Sequence, residues 1–211
     1  QQHKELKNYC ESFGKIYSSS VWDITSAKEI ISLQPKLIKI PSAMNLNFIL
    51  LDYVLENYEG DIHISLGMTY KDEIKKIINF FKNKKKLSNL VLYYCKSSYP
   101  VYEENLDLLE IISLKSMYGK EIKSIGFSGH HTGISVDISA LTLGAQYFER
   151  HFTLNRSFKG TDHGASLEPD GLRRLIRNLN EAYESLTEWD GKIEKEELFQ
   201  RNKLKVIKSN E

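Results

Sequence analysis

Short apolar runs alternate with amphipathic ones along most of this chain, roughly six times, and a polar turn joins each pair. The short runs, read as strands, cover residues 15–19, 37–41, 61–66, 90–95, 122–127 and 147–154. The periodic segments predict helices over 4–13, 26–33, 46–58, 70–82, 105–117 and 136–144, and a longer one after Pro169 through Leu172, Leu175, Ile176, Leu179, Ala182 and Leu186. Ser26 and Thr69 are the expected N-caps of the second and fourth of these helices, and Gly14 and Gly60 stop two others. Successive strands are too far apart for hairpins, so they should run parallel with helical crossovers. The right-handed crossover rule curls such a sheet toward a (β/α)8 TIM-type barrel, of which about six units are present. The expected fold class is therefore α/β, an incomplete barrel over residues 1–190 followed by a charged tail over 191–211.

Composition narrows the function classes. A chain of 211 residues with 41% hydrophobic and 27% charged residues can bury one sizeable core. A formal net charge of +1 provides no global field for nucleic acid, and the lysines at 71, 75, 76, 82, 84, 85 and 86 read as the solvated face and tail of one helix. No apolar run approaches the roughly 18 residues of a membrane span, and the polar start is no signal peptide. The two cysteines, Cys10 and Cys95, form neither a disulfide framework nor a metal knuckle. The expectation is a cytoplasmic chain with no nucleic-acid or membrane partner. It begins without methionine, which suggests a piece of a longer product.

Chemistry concentrates between Gly126 and Glu168, where His130 and His131, the triplet Glu149, Arg150 and His151, and the pair Asp162 and His163 each lie at or just after the end of an apolar run. Strands covered on both faces should be continuously apolar, so Lys39 within LIKIP needs a carboxylate or a ligand anion. A salt bridge to Glu149 would satisfy it. Ligand binding is the favoured reading, because Ser20, Ser42 and Ser65 stand at comparable strand ends and would supply hydroxyl donors to the same anion. Alternation puts His63 with Ser65, and Glu149 with His151 and Thr153, on single faces, and His63 reads as a hydrogen-bonded core histidine. No glycine-rich nucleotide loop is present, and adjacent histidines cannot form a zinc-protease pair. The residues alone thus point to a barrel-like protein that binds a small anion.

The ordered motifs IKIPSAMN, ISLGM, YYCKSSYP, GFSGHHTG, LGAQYFERHFTL and KGTDHGASLEPDGLRRLIRNL resemble the sialic acid (N-acetylneuraminate) synthase family, including its legionaminic and pseudaminic acid synthase relatives, from about Tyr17 to Leu186. The resemblance implies a (β/α)8 catalytic barrel that condenses phosphoenolpyruvate with an N-acetylated amino-sugar aldehyde, such as N-acetylmannosamine, using manganese or magnesium. It implies that Lys39, Ser42, Ser65 and Ser20 hold phosphoenolpyruvate and that His130 is a metal ligand. Glu149, His151 and Asp162 would bind sugar hydroxyls or transfer protons. Lys39, His130, Glu149 and His151 are the expected catalytic residues, and Ser20, Ser42, Ser65 and Asp162 the expected substrate-binding ones.

Three departures accompany the resemblance. A second metal-binding histidine is expected in an HC pair before the YP turn, where this chain has Tyr94 and Cys95, and a neutral phenol is a poor ligand. Gly129 stands where the SDHT form of the motif has aspartate. The chain begins at the family's third strand, and no antifreeze-like domain follows Leu186. Open sheet edges would then favour a homodimer and leave the chain inactive alone. Two alternatives remain at this level: a non-catalytic sugar-phosphate or phosphoenolpyruvate-binding subunit, and a barrel aldolase that forms a Schiff base at Lys39.

Overall fold

Five parallel strands lie side by side in chain order: β1 (Leu37–Ile40), β2 (Asp61–Ser65), β3 (Leu90–Cys95), β4 (Ser124–Gly129) and β5 (Tyr147–Arg150). The structure is a computed structural model in which residues 1–206 are described; residues 207–211 of the expected tail lie outside them. Eight α-helices are described: α1 (Gln2–Ser12), α2 (Ile24–Ser32), α3 (Phe48–Asn57), α4 (Lys71–Asn83), α5 (Glu110–Tyr118), α6 (Ser135–Thr142), α7 (Pro169–Ser185) and α8 (Lys195–Leu204). Each β-to-β connection from β1 to β5 carries one of α3 to α6, as the alternation requires.

The strands alternate rather than read as continuous apolar runs. Ile38, Ile40, Ile62, Ile64, Leu90, Leu92, Ile125 and Phe127 form one face and join the core with Ala27 and Ile30 of α2, Leu50, Leu51 and Val54 of α3, Ile77 and Phe81 of α4, and Ile111 and Leu114 of α5. The other face carries Lys39, His63, Ser65, Tyr93, Cys95, Ser128 and Glu149. Helices therefore cover one side and polar chemistry lines the other.

Side-chain distances show how far the sheet curls. Laid flat, β1 and β5 would be about 19 Å apart, four spacings of roughly 4.8 Å. A lysine and a glutamate together reach only roughly 11 Å. Yet Lys39 Nζ on β1 lies 3.4 Å from Glu149 Oε1 on β5, and the His63 and Tyr147 rings are 5.0 Å apart. The polar face is the concave side of a half-barrel.

The structure corrects several expectations. Residues 15–19 form no sixth strand: Ser20 makes a single parallel bridge to Lys39, while Ser18 Oγ donates to the Leu37 carbonyl at 2.8 Å. A serine run with little to bury competes for the ladder instead of extending it. The last strand stops at Arg150, after which Phe152 bridges to Leu167. The helix expected over 105–117 begins only at Glu110, because Asp107 takes φ 45°, outside the right-handed helical region. Asp23, rather than Ser26, caps α2: its Oδ1 accepts from Ser26 N at 2.7 Å while Ser26 Oγ accepts from Asp23 N at 3.1 Å, a reciprocal box. Tyr70 starts α4 with Glu73 closing back on its N–H at 2.8 Å, and Thr69 instead donates to the Gly67 carbonyl. The lysine-rich stretch is tied to nearby acids, Lys76 to Asp72, Lys82 to Glu121, Lys84 to Asp52 and Glu56, and Lys86 to Glu59.

His63 is the buried histidine that alternation suggested, 1% exposed, with Nδ1 2.8 Å from the Tyr93 hydroxyl. Burial lowers its pKa from 6.5 to about 4. Below pH 6.5 the unfolded chain takes up a proton that the folded chain refuses, so stability falls as pH drops toward 4 and then levels off. That interval is worth about 3 kcal/mol for this one group. We expect urea midpoints to fall between pH 6.5 and 4 in the parent chain and to fall less in His63→Gln, which keeps a partner for Tyr93 without titrating; equal slopes would show that His63 is not responsible.

Candidate active site

A cavity of about 420 Å³ opens at the C-terminal ends of the strands, lined among others by Ser20, Lys39, Ser42, Ser65, His130, Glu149, His151 and Asp162. All eight site residues expected from the sequence thus converge, although they span more than 140 positions of chain between Ser20 and Asp162. In open α/β sheets this end gathers the loops, which is why ligands bind there.

Lys39 reaches it from the edge strand β1, on the concave face. Its ammonium donates to Ser65 Oγ at 2.7 Å and to the Ile40 carbonyl at 3.3 Å, lies 3.4 Å from Glu149 Oε1, and sits 5.5 Å from the centre of the Tyr93 ring. Burial lowers the Lys39 pKa, opposed by the Glu149 carboxylate. Ser128 Oγ donates to the same Glu149 oxygen at 2.8 Å. The internal salt bridge and the ligand-facing position are therefore both present: Lys39 is balanced inside the protein and still lines the cavity.

The hydroxyls are set by close backbone approach. Ser42 Oγ accepts from Gly67 N at 3.0 Å, and a Cβ at Gly67 would collide with Ser42 Oγ and Ser97 Oγ. Only glycine allows the turn after β2 to pass so near two serines. Trp22, Cys95, Ser97, Tyr99 and Ser128 also line the cavity and were not singled out beforehand. The available signal for Cys95 and Ser128 was alternation, since Cys95 pairs with Ser128 and Ser128 with Glu149 in the register. Thr153 does not share the cavity with Glu149 and His151; its hydroxyl pairs with His163 Nδ1 at 2.8 Å.

His130 is held by a carbonyl. Its Nδ1 donates to the Lys96 oxygen at 2.8 Å, which fixes the tautomer and leaves Nε2 with its lone pair. His151 Nδ1 lies 3.7 Å from Asp162 Oδ2. The two rings are 5.1 Å apart, with Tyr99 4.3 Å from His130 and 5.6 Å from His151, centre to centre. Burial lowers the pKa of both histidines, and for His151 the neighbouring His130 adds to the effect, so both favour the neutral, ligating form. Two imidazoles that share one ion at ordinary metal–nitrogen bonds of about 2.1 Å have ring centres roughly 5 Å apart. The pair fits a metal. Among the described residues no three His, Cys, Asp or Glu side chains group as a closed cage, so further ligands would be substrate oxygens and water.

Tyr94 does not stand at that site. It lies on the helix-facing side of β3, 7% exposed, and its hydroxyl donates to the Leu106 carbonyl at 2.7 Å. Burial raises its pKa, keeping the phenol neutral. The residue that accompanies His130 is His151, and Tyr94 is a core side chain because β3 alternates and Cys95 occupies the concave position.

The sequence profile described as the NeuB family matches residues 1–191. The N-acetylneuraminate-9-phosphate synthase of Mus musculus is 33% identical over 178 residues, 84% of this chain and 48% of that protein. The N,N'-diacetyllegionaminic acid synthase of Campylobacter jejuni is 32% identical over 196 residues, 92% of this chain and 58% of that protein. The crystal structure of the N-acetylneuraminic acid (sialic acid) synthetase of Leptospira borgpetersenii, solved with citrate, superposes with a TM-score of 0.82 at 28% identity, covering 95% of this chain and 70% of that one. The chain spans about half the length of the curated relatives it matches. With the profile match covering residues 1–191 and the strand order and cavity as described, this chain belongs to the NeuB family.

Proposed function

We propose that this chain provides the phosphoenolpyruvate and metal sites of an enzyme that condenses phosphoenolpyruvate with an N-acetylated amino-sugar aldehyde to give a nonulosonic acid and phosphate. The observation that carries the reading is Lys39, a buried ammonium lining the cavity among the hydroxyls of Ser20, Ser42 and Ser65. A buried cation ringed by hydroxyl donors suits a ligand bearing both carboxylate and phosphate. The relatives' names supply the product class: N-acetylneuraminate 9-phosphate and diacetyllegionaminic acid are made by the two synthases compared above.

In this reading Lys39 donates to the incoming anion, exchanging its Glu149 contact while keeping Ser65. Glu149, released from Lys39 and 40% exposed, then accepts from a sugar hydroxyl or takes a proton. Asp162, 3.7 Å from His151, offers its carboxylate to another hydroxyl. His130 and His151 would hold a divalent metal, manganese or magnesium, which when bound polarises the sugar aldehyde. The enol carbon of phosphoenolpyruvate adds to the aldehyde carbon, water adds at the resulting cationic carbon, and C–O cleavage releases phosphate. Among the described residues no helix is long and apolar enough to cross a membrane; a cytoplasmic location is part of the proposal.

Lys39→Met should keep the far-ultraviolet spectrum and lose phosphoenolpyruvate affinity about 100-fold by calorimetry, since a hydrogen bond to a charged group contributes about 1.5–3 kcal/mol and a mutual charge is removed as well. Affinity within threefold of the parent would remove Lys39 from the site and the reading with it. Manganese affinity should fall at least tenfold in His130→Ala and in His151→Ala, and stay unchanged in Tyr94→His if that variant folds, because Tyr94 faces the helices. Tighter manganese binding in Tyr94→His would contradict the assignment. Self-association belongs to the same proposal: α1 buries none of its residues and exposes Leu6, Tyr9 and nearby Phe13. Sedimentation should therefore return the mass of a dimer, and a monomer at every concentration would remove that part.

A further inference from the structure

Behind the cavity, on the helix-facing side of the sheet, lies a second charged cluster that the proposed reaction does not use. Arg150 follows Glu149 on β5, and alternation turns its side chain away from the cavity, where it is 3% exposed. There Nη1 donates to Asp137 Oδ2 of α6 at 2.5 Å and lies 3.2 Å from His131 Nε2, which is itself 3.2 Å from the same Asp137 oxygen. The side chains of Asp137 and His131 are both 0% exposed. Among the described residues, Arg150 Nε, Asp137 Oδ1 and His131 Nδ1 have no hydrogen-bond partner. A buried ion pair so incompletely satisfied contributes little to stability compared with apolar packing of the same shape. Its geometry shows what else it does.

The arginine holds a turn of main chain. Nη2 donates to the His131 carbonyl at 2.7 Å and Nη1 to the Gly133 carbonyl at 2.9 Å. Those carbonyls belong to the turn that leaves β4 immediately after His130, and Arg150 immediately precedes His151. One guanidinium thus ties the segment carrying one cavity imidazole to the strand carrying the other. Asp137 balances its charge and fixes its direction. Gly129 makes room, since a Cβ there would lie 2.9 Å from His131 Cε1 and 3.1 Å from Arg150 Cδ. Lysine could meet Asp137 but could not span both carbonyls with a planar fork.

We infer that Arg150, anchored by Asp137, is the positioning residue that sets His130 against His151 at the spacing one metal ion requires. The inference rests on the metal reading of the proposed site. Arg150 borders the cavity only through its main chain, its side chain being 3% exposed and turned to the helices; that side chain acts by fixing the turn.

The test is manganese titration by calorimetry into the full chain, with amide hydrogen exchange of the metal-free protein. Arg150→Lys keeps the buried charge balanced. The pair Asp137→Leu with Arg150→Met removes both charges. In each, manganese Kd should rise at least tenfold, within the 10–100-fold range of outer-shell metal-site mutations. Exchange of the residue 131–134 amides should quicken at least tenfold in Arg150→Lys, with the β1–β3 amides unchanged. A purely structural role would lower the unfolding midpoint and leave manganese affinity of the folded chain as it was. Affinity within twofold of the parent in folded Arg150→Lys, or unchanged exchange in the turn, overturns the inference. His130→Ala separates the two levels. If it fails to weaken manganese binding, the metal reading falls and takes this inference with it; if it weakens binding while Arg150→Lys does not, only the positioning role falls. Should the double variant not fold, Arg150→Lys decides.

Discussion

The rest of the structure depends on an ammonium placed inside a parallel sheet. Lys39 cannot be left unpaired at 7% exposure, and its acid comes from the far edge of the sheet, from Glu149. That contact is possible only if five strands curl through most of the roughly 19 Å that would otherwise separate them. Packing on the convex side already favours such curl, because α2 to α5 lay apolar stripes against Ile38, Ile64, Leu92 and Phe127. The salt bridge and the core therefore bend the sheet in the same direction. The concave side becomes an enclosure with a charge at its centre.

Two faces of one sheet serve different ends. On the convex face burial is close to complete and the side chains are aliphatic or aromatic, so this side supplies the hydrophobic stabilisation. On the concave face polar groups are buried but matched: Lys39 with Ser65 and Glu149, Ser128 with Glu149, His63 with Tyr93. Such a lining contributes little to stability and offers donors and acceptors that a ligand can take over.

His130 and His151 show how two levels of structure meet. Each lies just past a strand end, where alternation alone would only say which way it points. The Lys96 carbonyl chooses the tautomer of one, Asp162 stands beside the other, and Arg150 holds the main chain between them from behind. The arginine sits between two cavity residues in sequence but on the opposite face of the sheet, as a period of two demands.

Much of this was determined by the sequence alone. The strand–helix alternation, the parallel sheet and the polar strand ends at Ser20, Lys39, Ser42 and Ser65 follow from local pattern, while the place of His130, Glu149, His151 and Asp162 in the same site came from the family resemblance. Element boundaries were less legible: residues 15–19 form only a bridge, and α2 takes Asp23 as its cap, because neighbouring polar side chains compete for the same backbone groups. Tyr94 was misplaced for a similar reason. The motif set it at the histidine of the HC pair, but only the register of β3 against β4 decides which of Tyr94 and Cys95 faces the cavity. Glu149 could be named as a partner for Lys39 from the sequence, but the distance between β1 and β5 that lets them meet, and the spacing of His130 from His151, belong to tertiary structure, since each depends on curvature summed over strands that no local window of sequence contains.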